Sequence, residues 1–277
     1  MPTDDAPSWR HEPGVRPGFL LPVASLWWRE VVRFYRQPSR VIGGLASPLL
    51  FWVLIGSGLG SSFRHPTSGL EMKYLEYFFP GTLALILLFT AIFSTVSVIE
   101  DRREGFLQAV LVAPISRGSM VLAKILGGTT LAAVQGYLFL LLIPAASIHP
   151  TLVGLALTVL IILVAAFAMT GLGFLVAWPM ESTQGFHSIM NLVLIPMWLL
   201  SGALFPVEGA AAPVRWLMRM NPLNYTLNGL RASMYWNSDG NASLRAIGIS
   251  LAVTTGFGLL NFGLSVALAT RPARGGR

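Results

Sequence analysis

Six long runs of predominantly apolar residues recur along this chain, at 41–61, 79–99, 119–143, 152–178, 185–205 and 246–269. A helix needs about 20 such residues to cross the hydrocarbon of a bilayer. No water is available there to pair backbone N–H and C=O groups, so only helices and closed barrels can span it. The runs lack the two-residue alternation of a barrel strand and are therefore read as helices. Composition agrees. Only 11% of the 277 residues are charged and 54% are hydrophobic, whereas soluble domains carry roughly 25% charged residues. The expected fold class is all-α and integral to the membrane, with six transmembrane helices.

The remaining segments are short. The expected organisation is a polar N-terminal tail over 1–20, an amphipathic helix over 21–40, a six-span domain over 41–270 and a basic tail over 271–277. The first 20 residues are polar and rich in proline (Pro2, Pro7, Pro13, Pro17). They have no apolar core of a secretory leader, so a cleavable signal peptide is not expected. The absence of cysteine excludes disulfides, thiolate metal sites and cysteine catalysis.

Lysine and arginine counts orient the chain. Arg10, Arg16, Arg29, Arg33, Arg36, Arg40, Arg102, Arg103, Arg117, Lys124, Arg271, Arg274 and Arg277 fall on one side of a six-span arrangement. Arg64, Lys73, Arg215, Arg219, Arg231 and Arg245 fall on the other. The positive-inside rule places the richer side, and with it both termini, in the cytoplasm. The excess charge of +7 then points to anionic lipid rather than to nucleic acid.

The segment before the first span has two faces. Arg29, Arg33, Arg36 and Arg40 recur at helical spacing, and Val23, Trp27, Val31 and Phe34 recur on another face. Pro22 suits a first turn and Pro38 ends the run. This predicts an amphipathic helix in the cytoplasmic interface, with Trp27 dipping into lipid and Arg29, Arg33 and Arg36 reaching headgroups. Two roles stay open for it, a lipid anchor and a docking element.

The stretch between the second and third runs is more elaborate than a connector requires. It opens Glu100-Asp101-Arg102-Arg103-Glu104. A short helix is predicted over 104–113, with Phe106, Leu107, Val110 and Leu111 as its apolar stripe. Pro114 stops it, Ser116 caps the next helix, and Arg117 and Lys124 mark the membrane edge. A short helix across the ends of two spans is a lever that a soluble partner can push; the alternative is a helix that only seats the loop on lipid.

The run from Glu100 to Leu107, followed by Leu111-Val112-Ala113-Pro114-Ile115-Ser116-Arg117, resembles the coupling region of type-2 ATP-binding-cassette (ABC) exporter permeases. Ala123 precedes Lys124 where that family usually has Gly-Lys. Ser201-Gly202-Ala203-Leu204-Phe205-Pro206, then Asn221-Pro222-Leu223-Asn224-Tyr225 and Leu230-Arg231, is similar to the family's exit from the fifth span and its external re-entrant helices. The ordered set covers nearly the whole chain after residue 20 and is closest to short-loop drug and oligosaccharide exporters.

The resemblance implies an exporter with two permease subunits, forming a homodimer or pairing with a similar permease, and two separate ATPase subunits. It sits in a bacterial inner (plasma) membrane, and the ATPases bind ATP and Mg. It implies that Arg103, Glu104, Gly105, Phe106, Leu107, Pro114 and Arg117 face the ATPase. Gly202, Pro206, Asn221, Pro222, Tyr225 and Arg231 become candidates for an external gate.

The residues themselves place ATP elsewhere. A P-loop needs Gly-Lys-Ser/Thr, but Lys73 follows Met72 and Lys124 follows Ala123. His11, His65, His149 and His187 are scattered, so no metal site is expected, and no nucleophile–base pair marks an enzyme. A stand-alone secondary transporter or channel is the alternative. Ion-coupled carriers place charges within their spans, while the centres of these runs offer only Gln135, Asn191 and Asn261 as polar candidates. Their default role is interhelical hydrogen bonding; their other possible role is substrate contact along a path for amphiphilic cargo.

Overall fold

The computed structural model describes residues 18–36, 38–58, 74–236 and 240–271. Arg10, Arg16, Arg64, Lys73, Arg274, Arg277, His11 and His65 lie outside them, as do most of the N-terminal tail and the last six residues. Every regular element among the described residues is helical: α1 (Leu20–Tyr35), α2 (Pro38–Gly58), α3 (Tyr74–Ser94), α4 (Val96–Arg103), α5 (Phe106–Val112), α6 (Arg117–Leu140), α7 (Leu152–Ala177), α8 (Thr183–Leu199), α9 (Ala212–Met220), α10 (Pro222–Met234) and α11 (Gly240–Thr270). Short 3-10 turns at Ile143–Ala146 and Val207–Gly209 complete the set.

Among the described residues, four helices are long and apolar enough to cross a membrane: Tyr74–Arg103, Arg117–Leu140, Leu152–Ala177 and Ser243–Thr270. The first joins α3 to α4 with one irregularity at Thr95. There the Thr95 N–H bonds three residues back to Ile92 at 3.0 Å, and its hydroxyl donates to the same carbonyl at 2.6 Å. Such local side-chain bonding perturbs a helix without ending it.

α3 is the axis of the packing. Its residues from Tyr77 to Leu88 are all buried, because α2, α6, α7, α8 and α10 all pack around it. Trp52 of α2 donates its indole N–H to the Leu75 carbonyl at 3.0 Å and meets Phe79 and Phe139 edge-on, at 5.5 and 5.8 Å. Polar side chains within the apolar helices tie helix to helix. Thr90 on α3 donates to Gln135 on α6, Thr158 pairs with Ser233 at 2.8 Å, and Asn261 donates to the Ala168 carbonyl at 3.3 Å. Away from water, pairing such groups is favoured over leaving them alone.

Three departures from the sequence expectation bear on the site. The amphipathic helix expected over 21–40 ends at Tyr35, and Pro38, expected to close it, opens α2 and carries Arg40 with it. The apolar run at 185–205 ends as helix at Leu199, because the chain turns through Gly202 at φ +89°. The apolar composition of Leu200–Phe205 hides that turn. The short helix expected over 104–113 is shorter, α5 at Phe106–Val112. Glu104 closes α4, Gly105 takes φ +79°, and α5 begins at Phe106.

Candidate functional site

The site is the bend between α4 and α5 together with what holds it. Two bonds finish α4, Glu104 N–H to the Glu100 carbonyl at 2.9 Å and Gly105 N–H to the Arg102 carbonyl at 3.3 Å. The left-handed conformation at Gly105 then redirects the chain, which a residue without Cβ adopts freely. At the far end Ala113 is extended ahead of Pro114, and the Ser116 hydroxyl accepts the Ser119 N–H at 2.9 Å to start α6. The Pro114 stop and the Ser116 cap follow the sequence expectation.

Beneath the bend lies a charged cluster built from three elements. Asp101 of α4 is completely buried. Its two carboxylate oxygens accept from Arg29 of α1 at 2.9 and 3.0 Å, and one also accepts from Arg33 at 2.7 Å. Lys124 of α6 donates to Asp101 and, at 2.6 Å, to Glu30 of α1. Arg33 also reaches Glu100 at 2.9 Å and lies 3.6 Å from Glu104. Three cations meet three carboxylates here, with Glu104 on the rim. Charges removed from water are tolerated only when paired and hydrogen-bonded in this way. Burial pulls the Arg29 guanidinium down, but its hydrogen bonds and charge contact with Asp101 outweigh this and hold it above its usual range. The same guanidinium covers the Phe106 ring, 3.6 Å from its centre, so α5 is fastened to α1 through a cation–π contact.

This corrects the expected setting of α1. Arg29 and Arg33 face protein carboxylates rather than headgroups, and Trp27 donates to the Thr130 hydroxyl on α6 at 3.0 Å rather than dipping into lipid. Arg36 is exposed, and Trp28 shows more of its ring than Trp27. An amphipathic repeat defines a polar face; it does not say whether water or a counter-charge meets that face.

The predicted coupling residues divide by exposure. Leu107 is buried, Gly105, Phe106 and Arg117 are half-buried, and Arg103, Glu104 and Pro114 are exposed. On α5 the outer surface is Gln108, Ala109 and Val112, the last 86% exposed. Sequence reasoning missed Glu30, Asp101, Lys124 and Arg102. Two signals were available: one carboxylate, Glu30, inside an arginine-rich repeat, and one lysine, Lys124, well inside an apolar run.

The external candidates come together in part. Asn221 caps α10 by accepting the Leu223 N–H at 3.0 Å, and its amide donates to the Met197 carbonyl at 2.5 Å. Arg231 donates to the Gly202 carbonyl at 2.9 Å and lies over the Tyr77 ring at 4.4 Å. The stripe Leu223, Leu227, Leu230 and Met234 is buried, against α7 and α11. Pro222 opens α10 and Tyr225 is half-buried on it, while Pro206 precedes the second 3-10 turn.

The three substrate-path candidates are not brought together. Asn261 is buried in the α7–α11 contact, Asn191 is exposed on α8, and Gln135 lines a cavity of about 690 Å³. That cavity also takes in Phe89, Phe93, His187 and Trp198, with Arg33 and Glu30.

Comparison with known proteins matches this architecture. Residues 23–235, from α1 to the end of α10, match the family model described as ABC-2 type transporter. The chain is 25% identical to Nodulation protein J of Neorhizobium galegae over 265 residues, covering 92% of this chain and 95% of that one. It is 24% identical to Nodulation protein J of Rhizobium meliloti, covering 89% of each. It is 26% identical over 205 residues to ycf38 of Cyanophora paradoxa, which carries the name of a transport permease, covering 73% and 70%. The helices, the order of the motifs and a family match from α1 to α10 agree, and the chain belongs to the ABC-2 type transporter family as a transport permease.

Proposed function

We propose that this chain is the membrane-spanning subunit of an ABC exporter that moves an amphiphilic substrate with ATP hydrolysed by separate ATPase subunits. In this reading α2, α3–α4, α6, α7, α8 and α11 are the six spans and both termini are cytoplasmic. Two copies pair, and each engages one ATPase in a bacterial inner membrane. The observation that carries the reading is the seating of α5. Its inner side is fastened through Phe106 and Leu107, while Gln108, Ala109 and Val112 face outward. A partner that seats on that outer side moves α4 and α6 together, because Asp101 and Lys124 are bonded to each other.

Amphiphilic cargo suits the cavity, whose aromatic lining is interrupted by the Gln135 amide and by the charged side chains of Glu30 and Arg33. Nodulation protein J and ycf38 share the family, and their names leave the cargo open. The alternative of a stand-alone carrier needs a titrating group along a pathway. The buried charges here join α1, α4 and α6 to one another, and Glu30 and Arg33, which also line the cavity, are both held in ion pairs.

The test is co-purification with an ABC ATPase, sought first in the neighbouring reading frames, using Glu104→Ala, Gly105→Pro and Phe106→Asp. Loss of assembly, or of ATP-linked transport of a labelled amphiphile, is expected for at least Gly105→Pro and Phe106→Asp. Unchanged assembly and transport in all three would remove α5 from the coupling path. Robust transport by the purified chain without any ATPase would favour the carrier.

A further inference from the structure

Arg102 behaves unlike its charged neighbours. Arg29, Arg33 and Lys124 end on carboxylates. The Arg102 guanidinium turns to the corner that joins α7 to α8, residues 178–182. Nη1 donates to the Met180 carbonyl at 2.9 Å, Nη2 donates to the Trp178 carbonyl, and the group lies 5.3 Å from the centre of the Trp178 indole. That indole stacks in turn on Phe174, with centroids 5.5 Å apart and 21° between planes.

The chemistry of the corner explains the choice. The last carbonyls of a helix have no intrahelical partner and carry partial negative charge. Trp178 caps α7, and Pro179 follows it with no N–H to offer. A planar guanidinium can hold two separate carbonyls at once in fixed geometry, which a lysine ammonium cannot do with the same rigidity.

The consequence is mechanical. Asp101 and Arg102 are consecutive on α4. The first fastens α4 to α1 and α6, and the second fastens it to the α7–α8 corner, 76 and 78 residues away in sequence. α8 buries only Phe186, Met190, Leu194 and Trp198 along its length; its start is held by the packing of Phe93 on Phe186 and His187 and, through the preceding corner, by Arg102. We infer that Arg102 is a positioning residue that makes the α7–α8 corner move as one body with the α4–α5 bend, delivering a push on α5 to the start of α8. This rests on the reading of α5 as the element driven by an ATPase.

The chain has no cysteine, so introduced pairs carry spin labels without background. Gln108→Cys on α5 with Gln184→Cys on α8 reports the tether, since both positions are exposed. Tyr35→Cys, 85% exposed on α1, with Gln108→Cys is the reference pair. Labelled chains are diluted with unlabelled ones in nanodiscs. Distances are measured on the permease alone, then on its complex with the ATPase, without nucleotide and with vanadate-trapped ADP. With Arg102 present, the 108–184 distance is a single narrow peak. Its mean moves between nucleotide states by less than about 2 Å, the scale of helix shifts at interfaces. Arg102→Ala loses that single peak while the 35–108 peak is retained, and Arg102→Lys falls between.

The inference is overturned if Arg102→Ala keeps the narrow 108–184 peak. It is also overturned if both pairs broaden together, which would mark a general loosening, or if the wild-type 108–184 distance changes with nucleotide beyond the stated limit. If no ATPase binds the chain with Gln108 intact, the coupling reading fails. The permease-alone distances still decide whether Arg102 holds the corner.

Discussion

Lys124 on α6 and Glu30 on α1 form an ion pair, 2.6 Å from Nζ to Oε1, with side chains only 5% and 8% exposed. The two residues are 94 positions apart. The pair therefore fixes the seat of α1 on the third apolar run rather than any local turn. Removing Lys124 leaves buried Glu30 with Arg29 alone, 3.1 Å away, and takes one of three cations from Asp101. Lys124→Met is expected to destabilise the protein by about 3 kcal/mol. The double variant Glu30→Met with Lys124→Met is expected to lose less than the sum of the singles, because the buried carboxylate is removed together with its ammonium partner. Thermal unfolding of the two singles and the double in detergent checks both statements; additivity would contradict the pair.

Gly105 sits at φ +79°, and a Cβ built there meets only the Gln108 side chain, at 3.5 Å. The constraint is conformational rather than steric. Gly105→Ala is expected to cost about 1–2 kcal/mol from the left-handed backbone alone. Gly105→Asn is expected to cost less, since asparagine tolerates that region better. Stability should thus rank glycine, asparagine, alanine. An alanine variant as stable as wild type would mean that the bend does not need the left-handed residue.

The bend was legible in advance only in outline. Gly105 and Pro114 punctuate the stretch openly, and the apolar runs announce helices through length and composition. The cluster beneath the bend was not legible, because its partners are 23 to 94 residues apart and linear periodicity carries no register for distant pairs. Arg29 and Arg33 were expected to face lipid because a polar stripe looks the same whether water or Asp101 lies beyond it. Arg102 was overlooked beside Arg103 for a similar reason. Its targets are backbone carbonyls, which every sequence has and none advertises. The early end of α8 was masked by small and apolar residues around Gly202, which keep the run hydrophobic while the chain turns.

Two glycines on the apolar helices stand at opposite extremes of what a methyl group would strike. At Gly154 on α7 a Cβ would lie 2.3 Å from the Ser233 backbone carbonyl of α10, which cannot swing aside. Gly154→Ala is therefore expected to force α7 and α10 apart at a cost of about 3 kcal/mol, the upper end for overpacking. At Gly248 on α11 there is nothing within 4 Å, so Gly248→Ala should be neutral, or stabilising by up to about 1 kcal/mol through helix propensity. Unfolding temperatures of the two variants should move in opposite directions, or the first alone should fall. Equal effects would contradict the close α7–α10 approach.

Arg231 latches the turn at Gly202. It donates to the Gly202 carbonyl at 2.9 Å and covers Tyr77, while Tyr235, one helical turn on, donates to the Glu76 carbonyl at 2.8 Å. Burial, reinforced by the Glu76 carboxylate, holds the Tyr235 hydroxyl well above the usual phenol range, so it remains a donor across physiological pH. Arg231→Ala removes the charged hydrogen bond and is expected to cost about 1.5–3 kcal/mol. Tyr235→Phe removes one neutral bond and should cost about 1 kcal/mol. The effect should be local, because Gly202 and the start of α3 lose a common tie while the α4–α5 bend keeps its own. Phe205→Cys, at a partly exposed position in the turn, supplies the readout. A membrane-impermeant maleimide should modify it several-fold faster in the Arg231→Ala background. Modification at the wild-type rate, with stability unchanged, would show that Arg231 does not hold the turn.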